Sequence, residues 1–279
     1  MATKIWAYSP GSATAVRLAA RLGARVLASE ETTRYNPRRG DTIINYGNSR
    51  WSERIDQRSL LRNNVSVINN PYHVGIYSNK RTAFDMFEDF DTATVPYTTN
   101  PDTAEDWLRQ GYDVIARHKL HGHSGEGIQV LDYESYGQDR PEYPMVAAPL
   151  YTLYVKKSKE WRVHMIRSAT GEAHFKWQQK RRRIDCAEPN WTVRNYENGF
   201  IYAVEDVVKP ENYLDIQEDF CSNIDLRFGA IDLIMPNNAN TRIIRNSGPM
   251  FLELNTAPGL QSETMLDWYT EHLQGYINR

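Results

Sequence analysis

The sequence is short of the features that mark secreted, membrane and nucleic-acid-binding proteins. Its two cysteines, Cys186 and Cys221, are too few for a disulfide framework, so we interpret them as free thiols. No stretch approaches the roughly 18 apolar residues of a membrane span. The start, "MATKIWAYSP", lacks the apolar core of a secretory signal. A formal net charge of −2 gives no overall attraction to nucleic acid or membrane. These absences predict a cytoplasmic protein that binds neither nucleic acid nor a membrane.

Strands and helices alternate over roughly residues 1–75, which predicts a small α/β lobe at the N-terminus. Its loops "YSPGSAT" (8–14) and "NYGNSRW" (45–51) follow predicted strands, where open α/β sheets usually bind ligands. The first loop has no GxGxxG, so a dinucleotide site is not supported. In the second, Asn45, Asn48, Ser49 and Arg50 offer donors for a carboxylate, and a capped turn is the alternative.

Two apolar stretches near the C-terminus carry polar residues where a core strand should be apolar. They are "GAIDLIM" with Asp232 and "FLELNTAPG" with Glu253 and Asn255. Phe251, Glu253 and Asn255 are two apart and are expected on one face. An unpaired buried carboxylate would cost several kcal/mol, so something compensates it. An oxygen-only set suits Mg²⁺ or Mn²⁺ better than zinc, and ion pairs with Arg or Lys are the alternative.

A glycine-rich segment, "HGHSGEGI" (121–128), lies between two predicted strands. Glycines let backbone N–H groups curl around phosphate oxygens, but an ordinary hairpin loop has the same composition. His121 and His123 have no third nitrogen or thiolate nearby, so we interpret them as polar loop residues and not as a zinc site.

Cationic residues form a third group. Arg117 and Arg162 interrupt apolar strand patterns, so each needs a counter-anion, either a carboxylate or a phosphate. The run "QKRRR" (179–183) is typical of a solvated hairpin face. A nucleic-acid patch is the alternative, and the balanced charge argues against it.

Taken in order, these segments resemble the ATP-grasp superfamily of carboxylate–amine ligases over roughly residues 64–260. "FLELNTAPG" is similar to the family's strand-end signature Glu-x-Asn-x-x-Pro-Gly, and "FGAIDLI" to the strand that bears the first metal-binding aspartate. "HSGEGI" resembles the loop that closes on ATP, and "EWRVHMI" the acidic-x-Arg-Val strand. The resemblance implies an ATP-grasp fold of α/β and α+β lobes: a Rossmann-like lobe (1–75), lobe A (76–150) and lobe B (151–279), with ATP between the last two.

The resemblance also implies a role for each matching residue. Asp232, Glu253 and Asn255 would hold Mg²⁺, or Mn²⁺, between ATP phosphates. Arg117 stands where the family usually has a lysine, a departure for which Lys119 is the alternative. The other implied ATP contacts are Lys80, the loop residues His123, Ser124, Gly125 and Gly127, and the adenine hinge at Tyr151, Leu153 and Tyr154. The implied catalytic residues, which face the transferred phosphoryl group or the acyl phosphate, are Arg162, Lys180, Arg194 and Asn195.

The implied activity is ATP-dependent ligation of a carboxylate and an amine, each a small molecule or a peptide, through an acyl phosphate. Two alternatives stay open: a kinase that stops after phosphorylating its acceptor, and a non-catalytic nucleotide-binding module. "INYGNSRW" and "KLHGHSGEGI" are similar to small ATP-grasp proteins of tailed bacteriophages, which implies the host cytoplasm. A homodimer is left open.

Overall fold

The structure is a computed structural model that describes residues 2–9, 11–27, 35, 37–51, 55, 57–121, 126–132, 145–237 and 248–277. In these ranges, no helix is both long and apolar enough to cross a membrane. The described residues form three sheets with helices packed against them.

The first sheet is parallel and belongs to the N-terminal part of the chain. It contains β1 (Thr3–Ala7), β2 (Arg25–Leu27), β3 (Thr42–Tyr46) and β4 (Ser66–Ile68) in the order β2-β1-β3-β4. The helices are α1 (Ala13–Arg21) and α2 (Gln57–Arg62). Ser12 caps α1 by accepting from the Ala15 N–H, and Ala15, Leu18 and Ala19 bury one face. The predicted alternation of strands and helices is therefore present here.

The second sheet is antiparallel, with β5 (Tyr97–Thr98), β6 (Val114–Arg117), β7 (Ile128–Leu131) and β8 (Leu150–Leu153) in the order β5-β8-β6-β7. Before it come α3 (Pro71–Ser78) and α4 (Lys80–Phe87), and α5 (Pro101–Arg109) lies between β5 and β6. The sequence predicts a helix over 78–90 with a capping residue, and α4 confirms it. The preceding helix α3, which the sequence did not predict, ends at the same cap, Asn79. Its side chain accepts from the Arg81 and Thr82 N–H groups.

The third and largest sheet positions the site. Its antiparallel strands are β9 (Lys157–Arg167), β10 (Ala173–Arg182), β11 (Phe200–Ala203), β12 (Phe228–Pro236) and β13 (Met250–Asn255), in the order β11-β10-β9-β12-β13. Two further helices are α6 (Tyr213–Asn223) and α7 (Glu263–Gln274). Trp161, Val163 and Met165 of β9 are fully buried in the main core. Because side chains alternate along a strand, Glu160, Arg162 and His164 face the other way.

The N-terminal sheet touches the end of β13 through a close backbone approach. Gly47 has φ +93°, and a Cβ there would lie 2.8 Å from the Ala257 Cβ, so glycine is required on both counts. The Tyr46 hydroxyl donates to the Pro258 carbonyl. This contact holds the "NYG" and "NTAPG" segments together. The predicted bounds 1–75, 76–150 and 151–279 stay a prediction; α3 spans residue 75 and β8 begins at residue 150.

Candidate functional site

The strand register places four polar residues in one row across the largest sheet. Asp232 is the Cα partner of Glu253 on β13 and of Arg162 on β9, and Arg162 is the partner of Gln178 on β10. The row therefore reads Gln178, Arg162, Asp232, Glu253. Neighbouring strands lie about 4.8 Å apart, so polar groups distant in sequence share one strip of the sheet.

A β-bulge in β13 gives this row its shape. Asp232 pairs with Glu253 but Leu233 pairs with Phe251, so Leu252 is left over. Phe251 is consequently buried against Phe87, with ring centroids 4.8 Å apart. The predicted common face of Phe251, Glu253 and Asn255 is thus wrong for Phe251. The extra residue turns the phenylalanine into the core and leaves Glu253 and Asn255 on the cleft.

Arg162 and Asp232 form a buried bidentate ion pair. The Nε of Arg162 donates to Oδ1 at 2.6 Å and an Nη to Oδ2 at 2.7 Å. Burial by itself would raise the pKa of Asp232, but the guanidinium outweighs it and holds the pKa below its ordinary value. Burial would likewise lower the pKa of Arg162, and Asp232 raises it well above the usual range. Both side chains are therefore charged at neutral pH.

Glu253 has a second cation behind it. Its Oε1 lies 3.4 Å from the Lys80 Nζ at the start of α4, where the lysine side chain is 10% exposed. Lys80 lines a small cavity that adjoins the main cleft. We call these four residues, Arg162, Asp232, Lys80 and Glu253, the paired side. The ion pairs that the sequence left as an alternative to metal binding are thus present.

Oxygen atoms that could bind a metal remain in the cleft beside these ion pairs. Asn255 lines the cleft, and its amide nitrogen is buried with no hydrogen-bond partner among the described residues. The Asp232 carboxylate accepts one hydrogen bond from Arg162 at each oxygen and a third from Tyr202, which leaves part of its lone-pair capacity for a metal. Two carboxylates and an amide match what Mg²⁺ takes from a protein when phosphates complete its shell. The residues present therefore fit a magnesium ion.

Three cations surround a single carboxylate beside the paired side. Glu160 is 3% exposed; its Oε1 accepts from the Lys180 ammonium, and its Oε2 lies 3.7 Å from the Lys157 Nζ. The Lys180 Nζ also donates to the Arg194 carbonyl at 2.7 Å. The Arg194 guanidinium donates to the Lys157 carbonyl at 2.8 Å. We call Lys157, Lys180, Arg194 and Glu160 the cationic side.

The cationic side is not self-neutral, and its pKa values reflect this. Burial lowers the pKa of Lys157, Glu160 opposes the shift, and Arg194 and Lys180 reinforce it. Burial also lowers the pKa of Arg194. A buried excess of positive charge is unfavourable without a counter-anion. The arrangement therefore favours an anionic ligand.

Both sides, except for Lys80, line one cleft of about 430 Å³. Among the described residues that line it are five cations, Arg117, Lys157, Arg162, Lys180 and Arg194, and three carboxylates, Glu160, Asp232 and Glu253. The Tyr202 ring joins the two sides, since the Arg162 guanidinium and the Lys180 ammonium lie 4.3 and 4.4 Å from its centroid. A concave site with surplus positive charge and oxygen donors for a metal can bind a polyphosphate.

Arg117 enters the cleft from the second sheet. It ends β6, is 5% exposed, and its buried Nε has no hydrogen-bond partner among the described residues. Burial lowers the pKa of Arg117, and the charge of Glu253 opposes that shift. Within the protein, Glu253 thus supplies the counter-anion that the sequence predicted for Arg117. The unused Nε is a donor that a ligand could take.

The other predicted site residues are placed as follows. Asn195 lines the cleft, and its Oδ1 accepts from the Asn198 N–H. Lys119 is exposed and pairs with Glu126. Gly127, at φ +71°, packs against Lys119. Tyr151, Leu153 and Tyr154 lie in β8 or directly after it, outside the residues that line the cleft. His123, Ser124 and Gly125 lie outside the described residues. The roles assigned to all these residues stay predictions.

The N-terminal loops contribute to one end of the cleft. Tyr8, Ser12 and Thr14 line it, together with Ser262, which caps α7 by accepting from the Met265 N–H. Asn45 and Asn48 behave differently, because their amides donate to backbone carbonyls of Asn48, Asn69 and Trp6. The capped turn that the sequence left open is therefore what "NYGNSRW" forms around these two residues.

Sequence reasoning missed four residues of the cleft floor: Lys157, Glu160, Gln178 and Tyr202. Glu160 stands in the quoted "EWRVHMI", and its spacing of two from Arg162 was a usable signal for a shared face. Gln178 and Lys180 share that spacing on β10. Tyr202 had no signal, since β11 is a four-residue strand with no clear alternation.

Comparisons with known proteins identify the fold. No family model and no curated protein sequence matches the chain. Solved structures do match: D-alanyl-alanine synthetase A from Vibrio cholerae has 17% identity and TM-score 0.66, covering 99% of this chain and 98% of that chain. N5-carboxyaminoimidazole synthetase from Staphylococcus aureus, complexed with ADP, has 12% identity and TM-score 0.65, covering 98% and 77%. The ATP-grasp ligase PsnB, complexed with a minimal precursor, Mg and ADP, has 12% identity and TM-score 0.64, covering 98% and 96%. The chain has the ATP-grasp fold.

Proposed function

We propose that the protein is an ATP-dependent ligase that joins a carboxylate to an amine. The observation that carries the proposal is the row of Arg162, Asp232 and Glu253 on the floor of a cleft with surplus positive charge. Each neighbour reported above is named as a synthetase or ligase, and two of them are complexed with ADP. Site and fold therefore support the same class of reaction.

The chemistry has two steps. A carboxylate oxygen attacks the γ-phosphorus of ATP, the bond to the β,γ-bridging oxygen breaks, and ADP leaves with that electron pair. An amine nitrogen then attacks the acyl carbon, phosphate leaves, and the nitrogen loses a proton. Charge neutralisation and alignment of the phosphoryl group are the main demands of the first step.

The residues present meet those demands. Asp232, Glu253 and Asn255 would hold Mg²⁺ against the ATP phosphates, and the metal would neutralise charge on the transferred group. Arg162 and Lys180 would face that group from the cleft floor, and Arg117 and Lys80 would contact phosphates from the second sheet and α4. Arg194 and Asn195 would border the acyl phosphate. Small-molecule or peptide acids and amines are the proposed substrates.

Thermal unfolding with and without Mg²⁺-ATP tests the nucleotide site. A ligand at 100 times its Kd should stabilise the protein by about 2.7 kcal/mol. For a chain of this size that is a shift of roughly 2–4 °C per kcal/mol. We expect the shift to require Mg²⁺ or Mn²⁺ and to disappear in Glu253→Ala. The exposed control Glu271→Ala should keep it. No shift with any purine triphosphate would refute the proposal.

A screen of acids with amines then separates ligation from phosphorylation alone. Ligation predicts that steady ADP release requires both an acid and an amine, and that hydroxylamine replaces the amine by trapping the acyl phosphate. If ADP release needs the acid but ignores every amine and hydroxylamine, the kinase alternative is favoured. If nucleotide binds but no acid promotes ADP release, the non-catalytic alternative is favoured.

A further inference from the structure

Gln178 is a neutral residue in the polar row of the cleft floor. It is 4% exposed, lines the cleft, and is the Cα partner of Arg162. The metal-binding acids lie on the opposite side of Arg162, two and three strands away, roughly 10 and 15 Å along the sheet. Gln178 therefore belongs to the part of the cleft beyond Arg162, where a second reactant would approach a phosphoryl group held at Asp232.

The carbonyl end of the Gln178 amide is held from below by a buried hydrogen-bonded chain. Its Oε1 lies 2.7 Å from the His164 Nε2, and the His164 Nδ1 lies 3.0 Å from the Tyr269 hydroxyl of α7. Both His164 and Tyr269 are fully buried. Three polar groups in an apolar surrounding would be costly unless each were satisfied by the others.

The Gln178 oxygen sets the direction of these hydrogen bonds. An amide oxygen can only accept, so the His164 Nε2 donates to it, and the Nδ1 of the neutral ring accepts from the Tyr269 hydroxyl at 3.0 Å; the same hydroxyl lies 3.5 Å from the Gly229 carbonyl. A neutral imidazole that accepts at Nδ1 carries its proton on Nε2 and donates from there. The Gln178 oxygen is the acceptor of that bond.

The amide nitrogen of Gln178 is then left for the cleft. Among the described residues, none accepts a hydrogen bond from it. Two N–H donors beside the cations of the floor select an oxygen-bearing anion and disfavour an ammonium group. The buried chain thus turns a glutamine, whose amide has two orientations, into a fixed donor.

We propose that Gln178 binds an oxygen of the carboxylate substrate through an N–H of its side-chain amide, and that His164 and Tyr269 are positioning residues that hold this amide with its nitrogen facing the cleft. The assignment rests on the ligase function proposed above. It adds a binding residue for the acid that is separate from the residues proposed to hold metal and nucleotide.

The acid dependence of acyl-phosphate formation tests Gln178, with the acid found in the screen and hydroxylamine as the trap. Gln178→Leu should raise the KM for the acid roughly ten- to a hundredfold and leave Mg²⁺-AMP-PNP affinity within about twofold. Gln179→Leu is the matched control. That residue is adjacent on β10 but accepts from the Val208 N–H at 3.4 Å, outside the cleft lining. An unchanged acid KM, or a parallel loss of nucleotide affinity, would overturn the assignment.

His164 is tested by the same split between KM and kcat. His164→Leu should raise the acid KM as Gln178→Leu does, and His164→Gln, which retains a donor, should recover part of the loss. If His164→Leu lowers kcat alone, the positioning role is wrong. Urea unfolding identifies any variant that has lost its fold. If a His164 variant has done so, the comparison rests on Gln178→Leu and its control Gln179→Leu.

Nitrogen-15 NMR of histidine-labelled protein tests the hydrogen bonds from Tyr269 through His164 to Gln178 without any substrate. The His164 signal, assigned by its loss in His164→Gln, should show a neutral ring with the proton on Nε2. A proton on Nδ1 would mean that Gln178 presents its oxygen to the cleft, which overturns the proposal. Absence of any Mg²⁺-nucleotide shift in the wild type would instead refute the ligase function, and this NMR result would still stand.

Discussion

The paired side and the cationic side adjoin at one cleft but differ in their charge balance. On the paired side, Arg162 meets Asp232 in a bidentate pair and Lys80 meets Glu253. On the cationic side, Lys157, Lys180 and Arg194 share the single carboxylate of Glu160. The first is neutral by itself; the second carries surplus positive charge in a partly buried place.

This difference separates two requirements of a phosphoryl-transfer site. The paired side keeps metal-binding acids buried and ionised before any metal arrives, because Arg162 and Lys80 compensate them. On the cationic side one carboxylate, Glu160, compensates three cations only in part, so the remaining positive charge is available to an incoming anion. The ligand-free protein therefore tolerates one side without strain and is destabilised by the other.

The largest effect is expected from breaking the paired side. Asp232→Leu leaves Arg162 buried without its bidentate partner, which should lower the free energy of unfolding by about 3–5 kcal/mol. The double variant Arg162→Met with Asp232→Leu should recover most of that loss, because an apolar pair can replace a buried ion pair. Urea unfolding measures stability, and neither variant should bind Mg²⁺-ATP. Equal stability of the single and double variants would contradict the comparison.

A second prediction concerns the protonation of His164, which places a positive charge beside the paired side. Burial, reinforced by Arg162, lowers the pKa of His164 to about 3. The unfolded chain, with an ordinary histidine pKa near 6.5, therefore takes up this proton first as pH falls. Stability is lost below pH 6.5, by about 2 kcal/mol at pH 5.

Urea unfolding of wild type and His164→Gln between pH 7 and pH 5 checks this. The difference between the two slopes isolates His164, since burial also lowers the pKa of His272 and that residue contributes equally to both proteins. We expect the variant to lose less stability over this interval. Parallel curves would show that His164 is not the group that takes up the proton.

The cationic side makes the opposite prediction for stability. Lys157→Met removes a buried ammonium that Lys180 and Arg194 repel, so the ligand-free protein should gain on the order of 1 kcal/mol. Sulfate should stabilise the wild type more than this variant, because it supplies the missing anion. Lys156→Met, at the exposed neighbour, is the control. A less stable Lys157→Met protein would mean that Glu160 outweighs the repulsion.

The smallest effect is expected where ion pairs are exposed. Glu263 of α7 pairs with Arg17 and Arg21 of α1, and its side chain is 64% exposed. Glu263→Ala should cost less than about 1 kcal/mol, and the cost should shrink in 1 M salt. Thermal unfolding at low and high salt measures it. If Glu263→Ala cost as much stability as Asp232→Leu, burial would not explain why ion pairs in this protein differ in strength.

Local sequence was enough for most of the fold. The alternation of Trp161, Val163 and Met165 predicts β9, and the helical spacing of Ala15, Leu18, Ala19 and Leu22 with Gly23 as a stop signal predicts α1. The ATP-grasp fold implied by "FLELNTAPG" is confirmed by the solved structures. The exception has a physical cause: the bulge at Leu252 moves Phe251 into the core.

By itself, the sequence determined which residues are chemically equipped for the site: acids and an amide in apolar strands, and cations that interrupt such strands. Residue type and spacing carry that information because burying a charge is costly and demands a partner. Only the tertiary structure decided which side chain partners each of these charged residues. Strand register is a long-range property, so the pairing of Arg162 with Asp232, the surplus of cations around Glu160 and the support of Gln178 by His164 and Tyr269 emerge only when distant segments meet.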